Sequence, residues 1–261
     1  MTTTDKILSR KDGGVGHIVF NNPARHNAMS LDMWNGCADV LEGWATDPDI
    51  RVVVLSGAGG KAFVSGADIS KFGEERASEE AVRIYNDAVE RGYSAVQNFR
   101  KPTIAMIRGY CIGGGMGLAS CCDLRIASSD SRFAVPAAKL GLGYGHPGVK
   151  RLLDIVGPSF TKEIFYTARQ FDAAEALQMG LVNRVVPAEE LEAYVADYAE
   201  KISANAPLTI DALKFTVGEL LKADGDLAAS DALVDACFHS RDYAEGRAAF
   251  MEKRKPKFEG R

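Results

Sequence analysis

Apolar residues recur along this chain at two spacings, and the change from one to the other gives its organisation. Ile7-Leu8 and Val15-Gly16-His17-Ile18-Val19-Phe20, separated by Asp12-Gly13-Gly14, predict two strands joined by a turn. Met33, Cys37, Val40, Leu41 and Trp44 fall at helical spacing and predict a helix over residues 31–44, with Ser30 as its N-cap and Asp47-Pro48 as its stop. Three short apolar runs at 51–56, 103–107 and 124–127 alternate with helical stretches, including a long helix predicted over 77–99. That alternation predicts parallel strands with crossovers. Residues 181–186 return to strand character, and from Pro187 the pattern is helical to Arg254, with Leu191, Tyr194, Val195, Tyr198 and Ile202 on one stripe. The shift near Pro187 predicts a β-rich core of repeated ββα units over residues 1–187 and a helical region over 188–261.

Composition narrows the class. At 261 residues and 46% hydrophobic, the chain can bury a core without staples, and a formal net charge of −4 excludes a general nucleic-acid or anionic-membrane surface. Cys37, Cys111, Cys121, Cys122 and Cys237 show no CxxC spacing and read as reduced core thiols. His17, His26 and His239 form no metal-spaced cluster, so no metal is expected. The opening Met1-Thr2-Thr3-Thr4-Asp5-Lys6 has no apolar leader pattern and no run approaches a membrane span, which makes a cytoplasmic enzyme the expectation.

Two segments carry candidate chemistry. Gly113-Gly114-Gly115-Met116-Gly117 opens a predicted helix, and Phe63-Val64-Ser65-Gly66-Ala67-Asp68-Ile69 lies about one βα unit upstream. The first N–H groups of a helix lack intrahelical acceptors, and glycine lets another group come close to the main chain. A donor from each segment would complete an oxyanion hole. A competing GxGxxG match, Gly143-Tyr144-Gly145-His146-Pro147-Gly148, follows a poor strand, and Ala168-Arg169-Gln170 stands where a dinucleotide fold places an acidic residue. Dinucleotide binding is therefore set aside.

With Lys101-Pro102-Thr103-Ile104-Ala105 before Gly109-Tyr110, and Cys122-Asp123-Leu124-Arg125-Ile126-Ala127 after the glycines, the chain resembles the crotonase superfamily, the enoyl-CoA hydratase/isomerase family, from about Val15 to Phe258. The resemblance implies an α/β spiral of ββα units with a C-terminal helical trimerisation region, and a homotrimer or dimer of trimers. It implies an acyl-CoA thioester substrate in fatty acid metabolism, with coenzyme A arriving as part of the substrate and no permanently bound cofactor. By position, the hole donors fall on the N–H groups of Ala67 and Gly114. The pantetheine falls along Ser65 to Ile69, including Asp68, and near Gly113; the nucleotide falls near Arg25 and Ala28. Phe250 and Lys253 fall where a neighbouring subunit contacts the adenine and phosphates.

The chain departs from that pattern at the chemistry. Hydratases of the family carry glutamates where this sequence has Gly117 and Ala137. Tyr144 is similar to what methylmalonyl-CoA decarboxylase-like members show, although those carry a histidine at the place of Ala67 and a glutamate at that of Gly117. Loss of CO2 generates an enolate without a strong base, so the expectation is a lyase acting without the two-glutamate mechanism, with Tyr144 orienting a carboxylate and His146 a further proton-transfer candidate. A hydratase with relocated acid/base groups, for which Glu74, Glu75 and Asp68 are the candidates, and a non-catalytic acyl-CoA-binding protein remain the alternatives. The bland reading of Asp68 is a backbone anchor, as it is for Asp123.

Overall fold

The computed structural model describes residues 4–75 and 77–261, with the side chain of Glu74 and all of Arg76 outside the described residues. Strands β1 (Ile7–Asp12) and β2 (Val15–Phe20) form the predicted hairpin, and β2 then pairs in parallel with β3 (Val52–Gly57). The sheet continues in parallel through β5 (Thr103–Ile107), β7 (Leu124–Ser128) and β10 (Arg184–Val186), giving the order β1-β2-β3-β5-β7-β10. A second sheet, in the order β4-β6-β8-β9, comprises β4 (Ala62–Val64), β6 (Tyr110–Ile112), β8 (Arg132–Ala134) and the antiparallel β9 (Phe171–Asp172).

The connectivity explains both sheets. Three times the chain leaves a strand of the large sheet, adds the next strand to the small one, and continues into helix, the third time adding β9 to the small sheet before it returns to β10. These are β3-β4 before α2 (Phe72–Glu75) and α3 (Glu79–Gln97), β5-β6 before α4 (Gly114–Cys121), and β7-β8 before α5 (His146–Thr167). The predicted parallel crossovers and the ββα repeat are therefore present. Alternation along each buried strand sorts its side chains between two faces. Val53, Leu55, Ala105 and Ala127 face the main core with α1 (Leu31–Trp44), whereas Val52, Val54, Ile104 and Ile126 pack under Leu191, Val195 and Ala199 of α7 (Leu191–Ser203).

Several boundaries differ from the sequence reading for local reasons. Ser30 occupies the N-cap of α1 but its hydroxyl bonds Asp32 instead of a helix N–H, and the Leu31 N–H goes to Glu75 Oε1 at 3.0 Å. The long helix starts at Glu79, because Ser78 accepts from the Ala81 N–H at 3.1 Å and caps it there. The strand predicted over 181–186 is confined to β10, since Arg125 captures the Leu181 carbonyl at 2.6 Å and its N–H is held by Asn183 Oδ1 at 2.8 Å. Helices α6 (Ala173–Gln178), α8 (Pro207–Leu220), α9 (Leu227–Phe238) and α10 (Arg241–Met251) complete the chain.

Candidate active site

The site grows out of the place where the loop before α1 meets the end of β4. Asn27 stands in the left-handed region at φ 56°, and its amide donates to the carbonyls of Ala58 and Ala62 at 2.9 and 2.7 Å. That staple lets the Met29 N–H reach the Gly66 carbonyl at 2.8 Å and the Asp68 N–H reach the Met29 carbonyl at 2.9 Å. A parallel bridge of this kind steps over the middle residue, so the Ala67 N–H has no acceptor among the described residues.

The second donor comes from α4. Gly113 sits at φ 53°, ψ −110°, a conformation open to glycine, and its N–H bonds the Ala134 carbonyl at 2.8 Å. The first bond back along the helix is Gly117 N–H to Gly113 O at 3.1 Å, which leaves the Gly114 N–H without an acceptor among the described residues. A Cβ placed on Gly114 would lie 3.7 Å from the Gly66 backbone, so the two unengaged donors belong to abutting segments. Two N–H groups on abutting segments with no internal partner are candidates to hold a developing oxyanion, a contribution of roughly 3 kcal/mol per donor in sites of that kind.

Around these donors the structure joins some predicted residues and separates others. Arg25, Ala28 and Ser65 lie together: the Ala28 N–H bonds the Arg25 carbonyl at 3.0 Å and the Ser65 hydroxyl donates to that same carbonyl at 3.3 Å. Asp68 accepts from the Ser70 N–H at 3.1 Å and the Ser70 hydroxyl at 2.6 Å, capping the turn that carries the exposed Ile69. Tyr144 is half-buried with its ring 4.8 Å from Phe165, and burial pushes its phenol up. His146 opens α5 at an exposed position. Phe250 and Lys253 lie at the end of α10, exposed, and no described hydrogen bond or ring contact links them to the Ala67 and Gly114 region. Among the described residues no group of His, Cys, Asp or Glu could hold a metal ion, and no helix is long and apolar enough to cross a membrane.

Two residues of the neighbourhood carry more than their sequence positions disclosed. Ala137 is buried and Gly117 has no side chain, yet the space beside Gly117 is filled, because Tyr93 Oη lies 2.6 Å from where a Cβ would stand. The Tyr93 hydroxyl donates to the Gly114 carbonyl at 3.2 Å, its ring meets Trp34 edge-on at 4.9 Å, and the Arg151 guanidinium lies 4.9 Å from its centroid. Burial pushes the phenol well above its ordinary value. Nothing in the local sequence signalled it, because the contact joins α3 to α4 across the fold. Glu75, one of the relocated-carboxylate candidates, has Oε2 buried without a hydrogen-bond partner among the described residues, and burial raises its pKa, reinforced by the charges of Asp32 and Asp68. The side chain of Glu74 lies outside the described residues.

Known proteins repeat this architecture along its whole length. The chain is 35% identical over 257 residues to a crotonyl-CoA hydratase of Syntrophomonas wolfei, covering 97% of this chain and 98% of that protein. It is equally similar to a short-chain-enoyl-CoA hydratase of Clostridium acetobutylicum, over 96% of both. A crystal structure described as an enoyl-CoA hydratase/carnithine racemase from Magnetospirillum magneticum superposes with a TM-score of 0.92 at 37% identity, covering 99% of this chain and 97% of that one. The family model for enoyl-CoA hydratase/isomerase matches residues 10–261. With the ββα spiral and the paired donors, these likenesses establish that the chain belongs to the enoyl-CoA hydratase/isomerase family of the crotonase superfamily.

Proposed function

We propose that this protein binds a short acyl-CoA thioester with its carbonyl oxygen between the N–H groups of Ala67 and Gly114, and that its reaction runs through the thioester enolate. The observation that carries this reading is the pair of unengaged donors on abutting segments. Arg25 and Ala28 would face the nucleotide, and Ser65, Asp68, Ile69 and Gly113 the pantetheine.

For the chemistry itself, we propose loss of CO2 from a malonyl-type thioester. Hydration must activate a water and protonate the α-carbon, and neither residue 117 nor residue 137 offers a carboxylate here. In decarboxylation the bond to the carboxylate breaks, its electron pair becomes the enolate, and a weak acid completes the product. Tyr144 would orient the departing carboxylate and His146 is the outer proton-transfer candidate. Hydration is the second reading. It is favoured by the names of the two relatives above and by Glu75, a half-buried carboxylate with Oε2 unpartnered among the described residues and a pKa raised by burial.

Side-by-side turnover of crotonyl-CoA and methylmalonyl-CoA, followed by mass spectrometry, decides between them. Loss of CO2 that slows in Tyr144→Phe is the expected result. Hydration of crotonyl-CoA that disappears in Glu75→Gln would replace it with the second reading. Binding of acyl-CoA without turnover of any thioester in a wider panel would leave a binding protein.

We also propose assembly through the C-terminal helices into the homotrimer, or dimer of trimers, that the family resemblance implies. An apolar hollow of about 1000 Å³ between α8, α9 and α10 is lined by Leu213, Val234, Phe238, Phe250 and Met251, all of which have large exposed areas.

A further inference from the structure

The fold places the polar side chain of Tyr93 against both the donor Gly114 and the position that a side chain at residue 117 would take. Residue 117 follows Gly114 by three positions, so the two share a face of α4, and a Cβ at 117 would point back toward the turn that carries the donor. The Tyr93 hydroxyl stands at that place, 3.2 Å from the carbonyl oxygen of Gly114. In a thioester held at the Gly114 N–H, the α-carbon is one bond from the carbonyl carbon, and the Tyr93 hydroxyl lies on the face of α4 that residues 114 and 117 share. We infer that Tyr93 is a catalytic residue, the acid that delivers a proton to the α-carbon of the bound enolate and the base that removes it in the reverse direction. This rests on the enolate reading proposed above.

The step balances within the site. The enolate C=C pair forms the new Cα–H bond as the Tyr93 Oη–H bond breaks, the thioester carbonyl re-forms, and the phenolate recovers its proton from water. The groups facing the phenol fit an acid and not a resting base. Burial, with Tyr144, Cys121 of α4 and Tyr85 of its own helix, holds the proton on, while Arg151 of α5 opposes them with a guanidinium over the ring that favours the phenolate once formed. The ring itself is fixed by Trp34 on α1, whose indole fits closely against Gly92.

Deuterium uptake at the α-carbon of butyryl-CoA in D2O tests this without assuming which forward reaction the enzyme performs. The wild-type protein is expected to bind butyryl-CoA and to exchange its α-protons, with a rate that climbs about tenfold per unit between about pH 7 and 9, because a base that titrates above this range gains about tenfold in its deprotonated fraction with each unit. Tyr93→Phe keeps the ring and is expected to bind within about twofold of wild type while exchange falls about a hundredfold and loses its pH dependence. Retained exchange in Tyr93→Phe would overturn the inference and leave the enolate reading standing, and binding without exchange in the wild type would also overturn it. Failure of the wild type to bind butyryl-CoA would overturn the site reading and this inference with it. Should Tyr93→Phe not fold, the wild-type profile decides: a rate flat with pH excludes a buried phenol.

Discussion

Neighbouring glycines in α4 serve different physical ends. A Cβ on Gly115 would fall on the backbone carbonyl of Val64, which cannot yield without moving β4, whereas a Cβ on Gly114 would meet nothing closer than 3.5 Å. Gly115→Ala is therefore expected to cost more than about 3 kcal/mol in urea unfolding, and Gly114→Ala less than about 1 kcal/mol. The larger Gly114→Val would press on Trp34 and Gly66 together, shift both donors, and weaken acyl-CoA binding in titration calorimetry. At Gly117 the obstacle is the Tyr93 hydroxyl. Gly117→Ala should lose about 1–3 kcal/mol by thermal melting, and most of that loss should vanish on the Tyr93→Ala background, a coupling that a double-mutant cycle reads directly.

Among the elements, β5 and β7 are tied by one carboxylate. Asp123 accepts from the Thr103 N–H at 2.7 Å, from its hydroxyl at 2.9 Å and from Lys214 Nζ of α8 at 2.7 Å, while the Asp123 N–H returns a bond to Thr103 Oγ1 at 3.0 Å. The anchor role assigned to Asp123 from its place before a strand fits this geometry. Asp123→Ala strands two buried donors and a lysine, and is expected to cost about 2–3 kcal/mol by denaturant melt without altering acyl-CoA affinity. Helix periodicity made α1 legible to the residue, because its stripe of Met33, Cys37, Val40 and Leu41 is buried as a unit. The start of α3 was not legible, because Ser78 and the acidic Glu79 and Glu80 set it two residues later through a cap.

At the scale of the whole molecule, the C-terminal segment is held by charge and left open in its apolar surface. Glu245 receives two bonds from the Arg254 guanidinium, at 2.6 and 2.8 Å, and one from the Lys257 N–H, and this pairing lowers its pKa from the ordinary 4.5 to about 2. A carboxylate depressed in the folded state contributes stability above its unfolded pKa and loses it as the pH falls through the folded one. Amide exchange over residues 252–260 should therefore accelerate, beyond its intrinsic pH dependence, between about pH 4.5 and 2, and Glu245→Gln should show the fast regime already at neutral pH. The exposed Phe238, Phe250 and Met251 argue for a partner surface. Phe238→Glu is expected to shift sedimentation toward the monomer, and an unchanged sedimentation coefficient would remove this face from the assembly.

The sequence by itself determined the alternation of the large sheet's strands with crossover helices and the glycine-opened helix, because periodicity and turn chemistry are local and each buried face leaves its own imprint, whereas the three-residue strands β4, β6 and β8 that complete each ββα unit are too short to leave one. It also determined what the site lacks, since Gly117 and Ala137 are read directly. What stands in their place was decided only by the tertiary structure. Tyr93 arrives beside Gly117 across two packed helices, the Met29 bridge fixes the Ala67 segment whose Gly66 backbone abuts Gly114, and Arg151 comes over the Tyr93 ring from α5. Each of these meetings joins residues from separate elements, set by the volume of Trp34 and the close approach of α4 to β4, and no local spacing along the chain encodes them.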